Sequence, residues 1–448
     1  MPNNTTRRTF LKGATAAAVL PTIVPSSVFG KNAPSNRVNM GMIAVGGQGS
    51  SHTKKWVNHP QVQVVGVSDA FQSRITRAIA TTKKQSGGPA KGYRDFLDML
   101  DRADIDAVTI NSQDVWHVPM AIHAARQGKH VYVNKPLSVS LNYAQAMRDT
   151  IHATGVKFQF GTQQRCMKQF VRAVELVRNG YIGKVHRVEA WSPDMTDDFT
   201  DFHGKPFGST KPAPIPADLD YDKWVGPGEN IPYTADRCTR QGAFHRYDVA
   251  MGFIAGWGIH PLDIAIWGLD KDKTGDGPTT IRPRGGLLPS KGLFDTVYAW
   301  DVDLKYADGV EMRFSADKQA MSYVRKYHKR PSNHGTTFFG DEGWISVDRK
   351  GIYYSNPKLA AVALKPSDTR LGPVGTDQWD DFIQCILQDR ETISPVEVAV
   401  RGDTICYLSD AAIRSGKTLK WDPVKETVIG NPAAQRLMLR TPRAPYTF

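Results

Sequence analysis

From Arg37 onward, short apolar stretches alternate with amphipathic ones. The apolar stretches predict five strands, which are "RVNMGMIAVGG", "VQVVGVSDA", "IDAVTINS", "HVYVNKP" and "VKFQFGTQQ". Helical patterns such as "HVPMAIHAARQGK" and "SLNYAQAMRDTIHATG" lie between them and end at Gly128 and Gly155. Strands separated by helices of this length form a parallel, doubly wound α/β sheet. We therefore expect a Rossmann-type nucleotide-binding domain over residues 37–162.

The pattern changes after Gln164. An amphipathic helix, "RCMKQFVRAVELVRNG", is followed by strands with longer connections, "KVHRVEAW", "TVYAWDVDLKY", "VEMRFSA", "TTFFG" and "WISVD". The turn Ala307–Gly309 joins two of these strands as a hairpin. The sequence thus predicts a second α/β domain with a mostly antiparallel open sheet over residues 163–425. Residues 426–448 are expected to form an arm on its surface.

The first thirty residues have the order of a twin-arginine export signal. Arg7 and Arg8 are paired, Phe10 and Leu11 follow, and a weakly apolar stretch of small residues comes next. A disordered basic tail is the alternative. The apolar stretch is short and broken by Pro21, so no permanent membrane span is expected. Export would place the protein in the periplasm, where a dinucleotide must be held tightly.

Composition excludes several classes of function. The chain has 448 residues, 40% of them hydrophobic, which is typical of a globular protein with two domains. The net charge of +13 comes from scattered basic residues without interleaved aromatic residues, so nucleic acid is not an expected partner. The four cysteines have neither pairing nor metal-ligand spacing, and we expect no metal.

The turn after the first strand resembles a dinucleotide-binding loop. In "AVGGQGSSH", Gly46 and Gly49 occupy the second and third glycine positions, whereas Ala44 stands at the first. Bare amides at the start of a helix, with Gln48 among them, can hold a pyrophosphate. A glycine loop alone is a weak signal, because many turns look like this one.

An acidic residue at the end of the second strand strengthens this prediction. Asp69 lies twenty residues after Gly49, where a carboxylate can bind both ribose hydroxyls of NAD. The two residues that follow it supply no arginine for the 2′-phosphate of NADP. Arg74 nevertheless leaves NADP open, so NAD is the expected cofactor and NADP the alternative.

Further candidate cofactor residues follow the later strands. Ser112, Trp116 and His117 come after the third strand, and Gln164 comes after the fifth. Loops at the carboxyl ends of parallel strands face the ligand crevice. Trp116 and His117 could therefore flank a nicotinamide or ribose. Alternatively, Trp116 packs in the core and His117 caps the next helix.

The fourth strand ends in Asn134-Lys135-Pro136. A lysine held over a nicotinamide can take a proton from an alcohol as hydride leaves, provided that burial or nearby positive charge lowers its pKa. Pro136 would fix the turn that carries it. A solvated lysine at a strand end is the alternative, and Asn134 would line the same crevice.

A second pair of candidate proton carriers lies in "GWGIHPLDIAIWGLD". His260 and Asp263 are three residues apart and share one face of a helix. An imidazole and a carboxylate so placed suit proton transfer, whereas a capping histidine and a solvated aspartate would be structural.

Taken together, these motifs resemble the Gfo/Idh/MocA oxidoreductases. The resemblance covers nearly everything after residue 37 and rests on "AVGGQGSSH", Asp69, "VWHVPMAIHAARQGKHVYVNKPL", "GTQQR" and "GWGIHPLDIAIWG". The exported, carbohydrate-acting branch is the most similar. The resemblance implies NAD, a pyranose, inositol or glycoside substrate, assembly into homo-oligomers, and Lys135 with His260 as the acid–base pair.

The chain departs from the family pattern at two positions. Asn134 replaces a glutamate before the lysine, and Gly256 replaces an aspartate four residues before the histidine. We hypothesise that the pocket is more positive as a result and suits an acidic sugar, with Arg165, Arg246 and Tyr247 facing the substrate.

Three functions stay open. The first is an oxidoreductase for a sugar or cyclitol. The second, which some members of the family carry out, is redox-neutral cleavage of a glycoside. The third is a non-catalytic sugar- or nucleotide-binding protein, which the two lost carboxylates make plausible.

Overall fold

Six parallel strands form the first sheet of the protein. They belong to a computed structural model that describes residues 37–85, 87–195, 207–373 and 375–448; the predicted export signal, residues 1–30, lies outside the described residues. The order β3-β2-β1-β4-β5-β6 is the doubly wound Rossmann order. The strands are β1 (Val38–Ile43), β2 (Val62–Ser68), β3 (Lys91–Tyr93), β4 (Ala107–Ile110), β5 (His130–Val133) and β6 (Phe158–Phe160).

Helices connect these strands and cover the sheet. They are α1 (Gly47–Val57), α2 (Gln72–Thr82), α3 (Phe96–Leu100), α4 (Asp114–Arg126) and α5 (Leu141–Thr154). The segment "GYRDFLDMLDR" begins in the edge strand β3 and turns into α3 at Phe96. Helix α4 begins at Asp114, so Trp116 and His117 lie inside its first turn rather than in the loop before it.

A nine-stranded sheet forms the second layer. Its order is β13-β12-β11-β7-β10-β9-β8-β14-β15, and every neighbouring pair is antiparallel except β7 and β10. The strands are β7 (Val185–Ser192), β8 (Thr280–Leu287), β9 (Ala299–Lys305), β10 (Glu311–Ala316), β11 (Gly335–Gly340), β12 (Gly343–Asp348), β13 (Gly351–Tyr354), β14 (Leu419–Asp422) and β15 (Thr427–Ile429). The predicted fold class, a Rossmann domain followed by a mostly antiparallel α/β domain, is confirmed.

Helices of the second region pack on both sheets. They are α6 (Lys168–Arg178), α7 (Tyr221–Val225), α8 (Arg240–His245), α9 (Phe253–Gly256), α10 (Ile259–Gly268), α11 (Asp317–Val324), α12 (Gln378–Leu387), α13 (Val396–Ser415) and α14 (Pro432–Leu437). Helix α13 packs against α5, α10 and β8, so it joins the two layers. Phe382 of α12 packs against Trp56 and Tyr132 of the Rossmann layer.

The end of the chain returns to the Rossmann layer. The first residues of the predicted arm belong to the second sheet, because β15 pairs with β14. Beyond α14, the backbone N–H of Leu141 donates to the carbonyl oxygen of Met438 over 2.8 Å. In the described residues, no helix combines the length and apolar character needed to cross a membrane.

Candidate active site

A cavity of about 690 Å³ opens at the carboxyl ends of the Rossmann strands. Its lining comes from three parts of the chain: the strand ends of the Rossmann layer, the segment around α7 and α8, and the C-terminal residues 445–447. Seven of the predicted cofactor residues contribute to this lining: Gly46, Gln48, Asp69, Ser112, Trp116, Asn134 and Lys135. The crevice expected from the strand order therefore exists where the sequence predicts it.

The glycine loop has the shape that a pyrophosphate needs. Gly46 caps the start of α1 and lines the cavity with bare backbone. Gly49 lies behind it, where a methyl group would stand only 2.0 Å from the carbonyl oxygen of Ala44. Gly49 thus allows helix and strand to approach closely, and the helix start is left free to meet an anion.

Asp69 anchors the loop as well as facing the cavity. Its carboxylate accepts hydrogen bonds from the backbone N–H groups of Val45 and Phe71, each over 2.9 Å. Burial raises its pKa, and the guanidinium of Arg74, 3.6 Å away, opposes that shift. Arg74 also lies over the ring of Phe71 at 3.9 Å. A cation beside the carboxylate that is predicted to bind the ribose keeps NADP as an alternative to NAD.

An unsatisfied amide faces the same cavity at the end of β4. Both polar side-chain atoms of Asn111 are buried and have no hydrogen-bond partner in the described structure. Burial of an unpaired amide is costly, so such a group indicates a position that a ligand completes. Together with Gly46 and Asp69, this residue fits a bound dinucleotide. Sequence analysis did not single out Asn111, although it directly follows a predicted strand.

The sequence left two roles open for Trp116 and His117. Trp116 has the position expected of a cofactor residue, whereas His117 has a structural position. The indole N–H of Trp116 donates to the carbonyl oxygen of Lys223 over 3.0 Å, and its ring lines the cavity. The ring nitrogens of His117 lie 2.6 and 3.1 Å from the carbonyl oxygens of Pro136 and Ser112, and burial lowers its pKa to about 4. His117 is buried at 1% exposure and ties α4 to the Lys135 turn instead of facing the cavity.

Lys135 points inward from the end of β5. Its ammonium donates to the carbonyl oxygen of Gly256 over 2.8 Å. Desolvation lowers its pKa to about 8; the charge of Asp114 opposes this shift, and those of Arg349 and Arg240 reinforce it. Burial correspondingly raises the pKa of Asp114 to about 7. An amine with these surroundings can exchange a proton near neutral pH.

The turn that carries Lys135 is fixed from two sides. Asn134 donates from its amide to Gln48 over 2.7 Å and accepts from the backbone N–H of Lys135 over 2.9 Å. From helix α13, the carboxylate of Asp403 accepts from the backbone N–H groups of Leu137 and Ser138. Asp403 is a positioning residue that sequence analysis missed, since it lies more than 260 residues away in the chain.

His260 and Asp263 share a helix face but do not act as a pair. His260 is 2% exposed, and burial followed by the charges of Lys135 and Arg349 lowers its pKa well below the usual value. Asp263 instead accepts from Arg165 over 2.8 Å, and no hydrogen bond to His260 is found among the described residues. The expectation that Asp263 moves protons together with His260 is therefore corrected. The Asp263 carboxylate instead neutralises the buried Arg165.

The proposed substrate residues lie outside the cavity lining. Arg165 pairs with Asp263 and Asp272 at 2.7 and 2.9 Å, so it brings no free positive charge to a substrate. Arg246 pairs with Asp295 at 2.6 Å and also with two further carboxylates, and Tyr247 donates to Asp410 over 2.8 Å. This corrects the expectation that both arginines make the pocket positive. Gln164 is buried with neither polar side-chain atom hydrogen-bonded to a described residue.

The C-terminal residues close one side of the cavity. We call residues 443–448 the strap. Arg443 bonds the carbonyl oxygens of Gly226 and Gly228 and the carboxylate of Asp222, which also accepts from the hydroxyl of Tyr446. The ring of Tyr446 meets that of Trp116 edge-on at 5.2 Å. The strap is therefore held in place by α4 and by the segment around α7, beside the predicted cofactor residues.

Family models match both domains. Residues 38–162 match the Gfo/Idh/MocA model described as an oxidoreductase family with an NAD-binding Rossmann fold. Residues 172–329 and 349–448 match the model of the C-terminal alpha/beta domain of the same oxidoreductase family. Together these matches cover the residues that line the cavity and most of the strands and helices described above; β11 and β12 lie between the two matched segments of the second model.

Individual proteins agree with the family models. A glycosyl hydrolase family 109 protein of Shewanella sp. (strain W3-18-1) is 30% identical over 210 residues, which are 42% of this chain and 46% of that protein. The chain thus spans less than half the length of the curated relatives it matches.

Two solved structures share the fold. The WlbA dehydrogenase from Bordetella pertussis, in complex with NADH and UDP-GlcNAcA, has a TM-score of 0.61 and 14% identity, covering 86% of this chain and 98% of that one. Scyllo-inositol dehydrogenase from Lactobacillus casei, with bound NAD(H) and scyllo-inositol, has a TM-score of 0.56 and 16% identity, covering 86% of this chain and 99% of that one. With the family models, these findings show that the chain belongs to the Gfo/Idh/MocA oxidoreductase family and carries its NAD-binding Rossmann domain.

Proposed function

We propose that the protein is an NAD-dependent oxidoreductase that acts on a sugar, cyclitol or glycoside and holds its cofactor tightly. One observation carries this proposal: the Lys135 amine, with a pKa lowered to about 8, lines the same cavity as Gly46 and Asp69. When bound there, NAD supplies the hydride acceptor for a C–H bond of the substrate.

The residues of the chain would divide the remaining work. Gly46 presents backbone to the pyrophosphate, Asp69 binds the ribose hydroxyls, and Asn111 gains the hydrogen bonds that it otherwise lacks. Lys135 takes the proton of the substrate hydroxyl as its C–H bond breaks. His260, neutral because of its burial, orients that hydroxyl beside Lys135.

A direct test begins with the purified, undigested protein. Denaturation followed by mass spectrometry of the released small molecules should yield NAD in near-stoichiometric amount, and NADP would revise the cofactor. Sugars and cyclitols are then added to the native protein, and absorbance at 340 nm reports reduction of the bound dinucleotide. If dinucleotide is released but no member of a broad panel reduces it or is cleaved, the protein is a non-catalytic binding protein.

A second candidate function is redox-neutral cleavage of a glycoside. The similarity to the glycosyl hydrolase family 109 protein favours it, and so does the strap, which suits a cofactor that never leaves. In this reaction, temporary oxidation of the sugar acidifies a neighbouring C–H bond, the aglycone is eliminated, and the sugar is reduced again. Release of phenol from aryl glycosides without added NAD would identify this function; unchanged glycosides together with a reduced cofactor would exclude it.

We also propose that the protein is exported and that it assembles into a homo-oligomer. The order of Arg7, Arg8 and the apolar stretch supports export by the twin-arginine route, and replacement of both arginines by lysine should leave the protein in the cytoplasmic fraction. Membership of the family supports a homo-oligomer, which light scattering of the purified protein would test.

A further inference from the structure

Three side chains meet around one indole ring, that of Trp257, beside the Lys135 amine. The guanidinium of Arg349, at the end of β12, lies 5.0 Å from the ring of Trp257. The rings of His260 and His334 lie 5.6 and 5.5 Å from the same indole. We call Trp257, His260, His334 and Arg349 the Trp257 cluster. Its members come from three separate elements of the second domain, so sequence analysis did not group them.

The Trp257 cluster contains polar atoms that lack partners. Nε and Nη2 of Arg349, Nε2 of His334 and Nδ1 of His260 are all buried without a hydrogen bond to any described residue. His260 is 2% exposed and His334 6% exposed, so water does not satisfy them from bulk solvent. Unpaired polar atoms on three side chains that pack around one indole indicate a ligand rather than a packing defect.

No carboxylate neutralises Arg349 within the described residues. The nearest acidic neighbour in sequence, Asp348, is committed to the backbone N–H groups of Ser332, Lys350 and Gly351. Arg165, by contrast, is buried against two carboxylates. Burial of Nε and Nη2 of Arg349 without an acidic partner is costly, because the charge loses hydration without gaining a counter-ion. An anion from outside would supply that partner.

The Trp257 cluster adjoins the proposed catalytic amine. Lys135 donates to the carbonyl oxygen of Gly256, which is the residue before Trp257. The positive charge of Arg349 also acts on both Lys135 and His260. A single substrate molecule would therefore place a hydroxyl at Lys135 and another of its groups at Arg349.

We propose that the Trp257 cluster binds an anionic substituent of the sugar substrate, a carboxylate or a sulfate ester. The planar guanidinium of Arg349 can donate two parallel hydrogen bonds to either oxyanion, and the histidines can donate to the lone pairs that these bonds leave unused. Trp257 offers an apolar face to the sugar ring. This inference rests on the proposed function, because it takes the ligand of the cavity to be a sugar. It adds that this sugar carries a negative charge.

Calorimetry of the NAD-loaded, full-length protein tests this inference independently of hydride transfer. The probes are the methyl glycosides of glucuronic and galacturonic acid, the 6-sulfates of methyl glucoside and methyl galactoside, and the two neutral parent glycosides. Since a bidentate, charge-assisted pair contributes a factor of about 10 to 100 in affinity, an acidic probe should bind more tightly than its parent by that factor. The preferred oxyanion, carboxylate or sulfate, identifies the substituent.

Variants assign the preference to Arg349. Arg349→Gln should remove the preference for charge and leave the affinity for the neutral glycoside within a factor of about two, whereas Arg349→Lys should retain part of it. The matched control, exposed Arg330→Gln, should behave as wild type. Thermal unfolding of each variant shows whether it folds normally. If Arg349→Gln does not, the charge preference measured for Arg349→Lys decides the test.

The two proposals fail in different ways. Equal affinity for acidic and neutral probes, or a charge preference that survives Arg349→Gln, overturns the anion site while 340 nm absorbance still reports oxidation. A charge preference lost in Arg349→Gln supports the anion site even if no probe reduces the bound NAD, and that result would count against the oxidoreductase.

Discussion

Replacing Lys135 with methionine tests the central feature of the site. Methionine keeps an unbranched apolar stem as long as that of lysine, with sulfur in place of one methylene, and lacks the terminal amine. Burial lowers the pKa of Lys135 from 10.5 to about 8. At pH 7, about one molecule in ten then carries the neutral amine, against about one in 3,000 at the ordinary pKa. The surroundings of Lys135 thus raise the fraction of neutral amine at pH 7 about 300-fold.

The assay is single-turnover reduction of bound NAD, followed at 340 nm between pH 6 and 10. Because the lowered pKa leaves Lys135 protonated below pH 8, the rate should rise about tenfold per pH unit there and level off above it. Lys135→Met should react more slowly by a factor of about 10² to 10⁴ and lose this inflection.

Lys129→Met is the matched control. Lys129 also donates from a largely buried amine to a backbone carbonyl, that of Arg102, over 2.8 Å, but it does not line the cavity. The released dinucleotide is quantified for each variant, which separates loss of cofactor from loss of chemistry. A wild-type rate that shows no inflection between pH 7 and 9, or a Lys135→Met rate within a few-fold of wild type, would refute the role of Lys135 as base.

Three further outcomes are expected. Gly49→Ala should destabilise the protein by about 1–3 kcal/mol in chemical denaturation, because its methyl group would overlap a backbone carbonyl oxygen, whereas Gly351→Ala, which meets nothing within 4 Å, should not. Asp69→Ala should lower the dinucleotide content of the purified protein, measured by mass spectrometry; undiminished content would exclude Asp69 from the cofactor site. Tyr446→Phe removes one of the two bonds from the strap to the Asp222 carboxylate, leaving that of Arg443, and should speed loss of NAD during dialysis; an unchanged amount of released NAD would argue against a strap that retains the cofactor.

Local sequence patterns were enough to predict the Rossmann layer. Each buried strand there is an apolar run and helices separate the runs, so parallel pairing and a crevice at the carboxyl ends follow from the alternation of strands and helices, whereas the strand order comes from the structure. The edge strand β3 was missed because its three residues, Lys91–Tyr93, are only partly buried and carry no apolar run. The hairpin at Ala307–Gly309 was found because its turn residues are local.

The pairings that decide the site are not local. The spacing of His260 and Asp263 correctly placed them on one helix face, yet Arg165, 98 residues away, takes the carboxylate. Arg349 comes next to Trp257 only through the folding of the second sheet, and it stands in a sequence context without any functional motif. Charge in a pocket depends on which ion pairs form, and a single sequence does not specify those partners.

These contacts explain the physical effect of the two departures from the family pattern, Asn134 and Gly256. A methyl group at Gly256 would meet only the ring of Phe244, at 3.7 Å, so packing does not exclude a side chain there. An aspartate in that place would stand beside Lys135 and raise its pKa, as would a glutamate at Asn134. The amide of Asn134 and the carbonyl oxygen of Gly256 hold the Lys135 turn and amine instead, without a full negative charge. The lysine therefore keeps a pKa near neutrality while Arg349 stays free of any acidic partner in the described structure, and both properties favour a substrate that brings its own negative charge.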